Sequence, residues 1–591
     1  MLKTAIFAVV SSVLLVGAAA RSDDRVGRRI DNFSLRDYRG KACSLDECQN
    51  NKLVVVAFLG VECPLAKLYA PRLQELAKEY GARGVSFIGV DSNQQDTLTE
   101  LGAFARKNQI EFPLLKDPGN TVADQFGALR TPEVFVLDAE RVVRYCGRID
   151  DQYGLGTSSG YARPKVNRRD LAVALDELLA GKSVSQTAVE APGCFIGRVS
   201  KIEPTGDVTY SNQIARILKD RCVSCHRPGE VAPFPLTSFD EVVGWAETIR
   251  EVVDQGRMPP WFANPEYGHF VNDARLSDEE KKLIHAWLDN GCAQGDPANL
   301  PEPRQFVEGW QIPEPDQVVY ISDEPYKVPA EGVVEYQYFA VDPGWTEDKW
   351  IKAVEARPGN RSVVHHIIVF VQPPEGREGF DRDAIGGYAP GDGADISPEG
   401  VATFVPAGSK IMFQMHYTPN GTEQTDRSYV GIKFADPKSV HKISRGDAAI
   451  NVLFRIPPGA ANHEVKSRIR FKEDSLLYTM MPHMHLRGKS FRFEAEYPDG
   501  TREILLDVPK YDFNWQLSYR LAEPKLMPKG TKLNCTAHFD NSAENLANPA
   551  PDEWVAWGDQ TWEEMMIGFI FCVRANEDIQ AQPLQAAAGG E

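Results

Sequence analysis

A chain of 591 residues is too long for one hydrophobic core, because single cores stop growing near ~250 to 300 residues, so three or four domains are expected. Its composition, 42% hydrophobic and 25% charged, is that of a soluble globular protein and argues against a disordered or membrane-embedded chain. A formal charge of −18 makes the surface repel phosphate backbones, which excludes nucleic acid as an expected partner.

Lys3, the apolar run Ala5 to Val16 and the small residues Gly17 to Ala20 read as a secretory signal over residues 1–20, with the mature chain starting near Arg21. The competing reading is a retained N-terminal anchor. The expected location is therefore periplasmic or secreted. No later stretch approaches the ~18 apolar residues of a membrane span, so no stable membrane insertion is expected. Ten cysteines in an exported chain of this size would be supplementary staples, and their pairing is open.

From 24 to 190 apolar strand-like runs alternate with amphipathic helical ones, the pattern of an α/β unit. Strands are predicted at Leu53–Leu59, Val85–Val90 and Val134–Leu137, and helices at Ala70–Tyr80, Leu98–Lys107 and Asp170–Leu179. Gly60-Val61-Glu62-Cys63-Pro64 puts a cysteine at a strand-to-helix turn, where the helix dipole favours thiolate, and Thr131-Pro132 precedes a later strand. This arrangement resembles the thioredoxin fold as used by thioredoxins and peroxiredoxins. The match is partial: Ala66 stands where a C-x-x-C motif has its second cysteine, and Val56 and Gly60 occupy the marker positions of the peroxiredoxin P-x-x-x-[ST]-x-x-C string. Cys63 is the candidate thiol. A one-thiol site, a pair with Cys146 or Cys194, and a vestigial residue are all open readings, and Cys43 and Cys48 are unassigned loop residues.

Residues 205–300 read as mostly helical, with periodic segments at Asn212–Asp220, Phe239–Val253 and Ser277–Asp289, the last opened by a Ser277/Glu280 capping box. Cys222-Val223-Ser224-Cys225-His226 is the C-x-x-C-H string that attaches c-type haem, and the segment resembles small cytochrome c domains. Met258, in the loop Gly256 to Trp261, is the expected second axial ligand, with His269 as its competitor; His285 reads as a helix-surface residue. A Pro-rich linker follows, from Pro297 to Pro315.

From about 315 to 575 helical periodicity nearly vanishes, and short β-rich runs are separated by turns such as Tyr497-Pro498-Asp499-Gly500. Only eleven histidines occur in the chain, yet His365 and His366 share one strand-like run and His483 and His485 another. At spacing i, i+2 the second pair shares a face of a strand, with Met484 turned away. The adjacent pair converges on one ion only at a strand end or a bulge. Met415-His416-Tyr417 adds another histidine and Met565 a thioether, a donor set suited to copper.

The order H-H, M-H-Y, H-x-H, E-E-M resembles the type II, ascorbate-dependent copper monooxygenases, the family of peptidylglycine α-hydroxylating monooxygenase and dopamine β-monooxygenase. The resemblance implies two jelly-roll sandwiches with one copper each across a solvent gap. His365, His366 and His416 would form the electron-transfer site, and His483, His485 and Met565 the site of O₂ activation. Met481, Ile567 and Phe569 stand where peptide-acting members carry Arg, Asn and Tyr, so a peptide carboxylate lacks its clamp. His441, His463 and His538 match no ligand position; His538 is the candidate for an outer-sphere role.

The expected protein is multidomain: a signal at 1–20, a thioredoxin-like α/β domain at 24–190, an all-α cytochrome c domain at 205–300, antiparallel β-sandwich (jelly-roll) domains at 315–440 and 445–575, and a disordered tail at 576–591. The expected function is hydroxylation of a C–H bond of a small-molecule substrate with O₂ on two copper ions, with electrons from ascorbate or a redox protein relayed through a c-type haem. The alternatives are a non-catalytic copper/haem electron carrier and a thiol oxidoreductase or peroxidase centred on Cys63.

Overall fold

The computed structural model describes residues 23–581 except 156–159, 164, 201, 307–308, 331, 333, 375–382 and 390–392. The expected export signal lies outside the described residues. No described helix is long and apolar enough to cross a membrane.

The N-terminal unit is built on an eight-stranded sheet in the order Ala188–Val189, Val143–Gly147, Glu133–Leu137, Leu53–Phe58, Val85–Asp91, Leu114–Lys116, Ser34–Asp37, Ala42–Ser44. Its central strand Leu53–Phe58 is buried at every position, as expected for a strand covered on both faces. One face packs on Leu65, Tyr69, Leu73 and Leu171 from the helices, the other on Phe33, Phe126 and Ile196. The first helix runs Pro64–Gly81, six residues earlier than periodicity predicts. Proline at its first position is preorganised for a helix start and costs no hydrogen bond there. Helices Leu98–Lys107 and Asp170–Leu179 match prediction, the former capped by a reciprocal Thr97/Glu100 box.

Helices Ala215–Arg221, Phe239–Val243, Ala246–Asp254 and Asp278–Asp289 enclose a small core around Trp245 and Trp287. The single helix expected over Phe239–Val253 is broken at Gly244. A Cβ there would stand 2.5 Å from the Gln95 side-chain oxygen, so the backbone meets the N-terminal unit where a continuous helix with a side chain would not fit. The helical unit is not closed on itself. Trp261, Phe262 and Ala263 leave it to enter the core of the last β-unit, where Asn264 and Val271 bond the backbone of Asp507 and Arg520.

The remainder is β-rich, with several sheets. Strands Gln337–Val341, Lys410–Tyr417, Val364–Gln372 and Asp383–Tyr388 form one sheet, facing a second that includes Gln317–Tyr320, Tyr429–Phe434, Lys349–Arg357 and Val401–Val405. Both contribute to one core, through Val369 and Phe413 on one side and Val354 and Ile432 on the other. The last unit repeats the plan. Strands Arg445–Ile450, Ile567–Arg574, Ser475–His483 and Tyr519–Met527 face His463–Arg470, Lys532–Phe539, Gly488–Glu496 and Arg502–Val508. The tail expected to be disordered is tied down as far as residue 581. Glu577 forms a two-pronged ion pair with Arg445, and the Ile579 N–H donates to the His441 carbonyl. The rest of that tail lies outside the described residues.

Candidate redox sites

Cys63 caps the helix Pro64–Gly81 and is fully buried. Its Sγ lies 2.9 Å from the carbonyl oxygen of Thr131, whose bond to Pro132 is cis. Thr131 in turn stands opposite Cys194 in the two-strand ladder Arg130–Thr131/Cys194–Phe195. Burial pushes the Cys63 pKa up, but the Cys194 thiol and the Cys194 and Ala66 backbone N–H groups outweigh it and hold Cys63 below the usual thiol range. Cys194 moves the opposite way, raised by its bond to Cys63 and by burial. Of the two partners open in the sequence, Cys146 is the wrong one. It packs with Phe58 and Phe135 on the opposite face of the sheet.

Cys222 and Cys225 follow helix Ala215–Arg221 in a tight turn, with the N–H groups of Cys225 and His226 bonded to the Cys222 carbonyl. His226 Nδ1 is 3.0 Å from the carbonyl of Phe234, so Nδ1 carries the proton and Nε2 keeps its lone pair. That tautomer and two free thiols fit a thioether-linked haem. Met258 is half-buried in the turn after helix Ala246–Asp254, its N–H bonded to the Val252 carbonyl. His269 is exposed, and His285 pairs with Asp254 on the helix surface as the sequence implies.

In the β-rich half, strand Val364–Gln372 pairs with Lys410–Tyr417 with His366 opposite His416, and the register slips between Val364 and His366. This bulge is what lets adjacent His365 and His366 turn toward one point. Their Nδ1 atoms are 3.2 Å apart, and one ligand atom from each of His365, His366 and His416 can be chosen so that all lie within 4.8 Å of one another. His483 ends its strand and His485 lies just beyond, with ring centroids 5.3 Å apart, while Met484 points into the core. Met565 is buried immediately before strand Ile567–Arg574, whose Ile567 pairs with His483.

Among the described residues, side chains bridge the two histidine groups where the family resemblance implies a solvent gap. Tyr336 stands 5.5 Å and 5.1 Å from His366 and His416 and 6.2 Å from His485, and Phe513 lies 5.3 Å from His365 and 6.0 Å from His485. The Gln516 amide oxygen accepts from His483 Nδ1 at 2.8 Å, and its nitrogen reaches His366 Nδ1 at 3.5 Å. Two rings and one amide thus reach both histidine groups. None of these three residues carries a motif visible in sequence.

Glu564 is the other participant the sequence does not assign. Fully buried, it accepts the backbone N–H of His485 at 2.9 Å and that of Arg487 at 2.6 Å. His485 Nδ1 bonds the Glu563 carbonyl, which leaves its Nε2 open. His538 does not have the outer-sphere role open to it. It faces outward with Ser490 and Glu464, between the inward-facing Ala537 and Phe539.

The five histidines are held neutral. Burial lowers His365 and His483 to about 4 and His485 to about 3, and drives His366 and His416 well below the ordinary value with help from their neighbours. Buried nitrogens on His365, His366, His416 and His485 have no hydrogen-bond partner in the protein. Burying bare imidazole nitrogens is costly, and a bound metal ion would remove the cost.

A pH dependence follows for the metal-free chain. Below the unfolded histidine value of 6.5 the unfolded state binds five protons that the folded state refuses, so stability falls as pH drops. Glu564, raised to about 7 by burial, works against this with one proton between about 4.5 and 7. Five outweigh one, and the unfolding midpoint of the metal-free β-rich half should fall steadily from pH 7 to pH 5; a midpoint unchanged over that range would contradict the buried neutral state. Urea titration followed by tryptophan fluorescence measures it.

A cavity of about 680 Å³ opens onto His365 and His416. Its walls include Tyr161 and Arg163 of the N-terminal unit and Phe513 and Trp562 of the last β-unit. The N-terminal strands Tyr153–Leu155 and Gly160–Ala162 reach it directly: Asn514 donates to the Gly160 carbonyl and Arg163 to that of Leu546.

Residues 26–146 match the model of the AhpC/TSA family. The chain is 31% identical over 121 residues to the chloroplastic peroxiredoxin Q of Triticum aestivum, covering 19% of this chain and 54% of that protein. It is 31% identical over 126 residues to the putative chloroplastic peroxiredoxin Q of Oryza sativa subsp. indica, covering 20% and 57%. The chain thus spans little more than half the length of these relatives. Among solved structures it is similar to a hypothetical protein from Sinorhizobium meliloti 1021, with 32% identity, a TM-score of 0.27, and coverage of 29% of this chain and 94% of that one. It is also similar to peroxidoxin BcpB from Mycobacterium tuberculosis, with 24% identity, a TM-score of 0.19, and coverage of 26% and 94%.

Proposed function

We propose that this chain, whose N-terminal part is a thioredoxin-like redoxin domain of the AhpC/TSA type, is an oxidoreductase that uses Cys63 as a reacting thiol. The observation that carries this is the place of Cys63 at the N-cap of helix Pro64–Gly81, where the Ala66 and Cys194 backbone N–H groups face its sulfur and favour the thiolate despite full burial. Burial restricts the oxidant to a small one, such as a hydroperoxide. The thiolate attacks the terminal peroxide oxygen, the O–O bond breaks, and a sulfenic acid remains on Cys63 while water or an alcohol leaves. The Cys63→Ser chain should lose peroxide consumption by about 10³-fold or more, since no other group replaces a removed nucleophile. Equal consumption by both chains would discard the reading.

A second reading is favoured by a separate observation, the bare nitrogens of the buried histidines. His365, His366 and His416 would hold one copper ion, and His483, His485 and Met565 a second. Bound copper would supply one-electron chemistry with O₂, and the whole would act as a monooxygenase on a C–H bond, fed through a haem on Cys222, Cys225 and His226. The chain's own share is to position the imidazoles, through Gln516 and the Glu563 carbonyl. Phe569, 6.1 Å from His483, and Ile567 make its neighbourhood apolar, which disfavours a carboxylate substrate. The test is metal analysis and an optical spectrum of the chain purified from a host able to attach haem, with two coppers and one haem per chain expected. Absence of copper would remove this reading and leave the first untouched.

A further inference from the structure

We infer that Cys194 is the resolving thiol for Cys63, and that the two form a reversible disulfide where the redoxin domain meets the helical unit. This rests on the reading of Cys63 as a reacting thiol.

The geometry converges on Thr131. Its carbonyl is 2.9 Å from Cys63 Sγ, and Cys194 is its direct opposite in the adjoining ladder, so both cysteines are placed around one peptide unit. Gly193 holds that ladder closed. Its φ of +144° is one that side chains rarely adopt, and a Cβ on it would stand 2.0 Å from the Thr131 oxygen. The strand carrying Cys194 can approach this closely only with glycine there. Ala66 leaves no resolving thiol one helical turn from Cys63, and Cys146 is across the sheet, so among the described residues Cys194 is the thiol that meets it. Cys194 lies beyond the stretch 26–146 that matches the family model.

The seam is well anchored on the helical side. Arg130 makes two bonds to Glu251, at 2.9 Å and 3.2 Å, and one to the Gly193 carbonyl, while the Phe195 N–H donates to Thr248 of the same helix. Glu251 also pairs with Arg257, and the charges of Arg130 and Arg257 both favour a thiolate at Cys194. Both arginines would therefore help Cys194 give up its proton when its turn to attack comes.

The chemistry closes in two steps. A hydroperoxide oxidises Cys63 to the sulfenic acid, and Cys194 sulfur then attacks Cys63 Sγ, forming the S–S bond as the sulfenic oxygen leaves with two protons as water. A dithiol, small or protein-borne, then supplies two electrons and two protons by thiol–disulfide exchange, restoring both thiols and leaving as its own disulfide.

The test uses the full chain, reduced, freed of reductant and given one equivalent of hydrogen peroxide with or without dimedone, then alkylated and mapped by mass spectrometry without reduction. The expected product is a Cys63–Cys194 linked peptide that dithiothreitol dissolves, with dimedone labelling of Cys63 appearing only in Cys194→Ser. Strong dimedone labelling of wild-type Cys63 with no link to Cys194 would overturn the pair while keeping Cys63 reactive. Cys63 left unmodified in both chains would overturn the pair and the thiol reading together. The wild-type map needs no variant to fold.

Discussion

On the proposal that the two histidine groups each hold copper, replacing His416 with alanine is expected to lower copper affinity at the first group by about 100-fold or more, while the second group keeps its ion. Changes one step outside a ligand shell already cost about 10- to 100-fold, and His416 would be inside it. His416 sits 4.7 Å from His365 and 5.0 Å from His366 by ring centroid, opposite the bulge that turns those two together. No other side chain supplies a third nitrogen at that point among the described residues. The metal-free variant should be nearly as stable as the metal-free parent, because the lost ring carried a buried nitrogen with no partner, so its removal relieves one cost while leaving a cavity beside Tyr336 and Phe513. The stabilising effect of copper is where the two chains should part, since a ligand raises stability by an amount set by its affinity for the folded state. Melting curves with and without cuprous ion under reductant, together with metal counts, read both effects. A variant that retains two tightly held coppers would show that these imidazoles are not the ligands.

How far the sequence discloses this arrangement depends on the range of the interaction involved. Helices Leu98–Lys107 and Asp170–Leu179 and the Ser277 capping box are legible because caps and periodicity act within a few residues. The thiol at a strand-to-helix turn is legible for the same reason. Its partner is not: Cys63 and Cys194 are brought together by a two-residue ladder and a glycine forced against Thr131, and nothing near either cysteine in the chain announces that contact. The need for glycine at 244 is equally remote in origin, since the atoms a Cβ would meet belong to Gln95 of another unit. Histidine doublets stand out in a chain poor in histidine, and the need for a bulge at His365–His366 follows from strand geometry alone. That the two groups share Tyr336, Phe513 and Gln516 does not, because those contacts join separate sheet pairs. The passage of Trp261–Ala263 into the last β-unit also escapes local reading; an apolar run after a helix looks the same whichever core receives it.

Glu564→Ala is expected to be the most damaging single change in the last β-unit, lowering its stability by about 3–5 kcal/mol, the usual cost of breaking a buried pair from one side. Glu564 and Arg487 are 0% and 1% exposed. The carboxylate satisfies two backbone N–H groups in the loop that carries His485, and it opposes the guanidinium charge, which itself bonds the Asn541 side chain and the Trp562 carbonyl. Alanine leaves two donors bare, a charge unopposed and a void at once. Burial pushes Glu564 up to about 7 while the Arg487 charge pulls it down, so Glu564 depends on Arg487 for its ionised form. It follows that Arg487→Met combined with Glu564→Gln should cost less than the sum of the two single changes, because the double variant buries no unpaired charge. Hydrogen exchange at His485 and Arg487 separates this from a general loss of packing: their amides should lose protection in Glu564→Ala far more than those of strand Lys532–Phe539, which does not touch the carboxylate through any backbone bond. If the loop amides stayed protected and the melting point held, Glu564 would not be what fixes His485 in place.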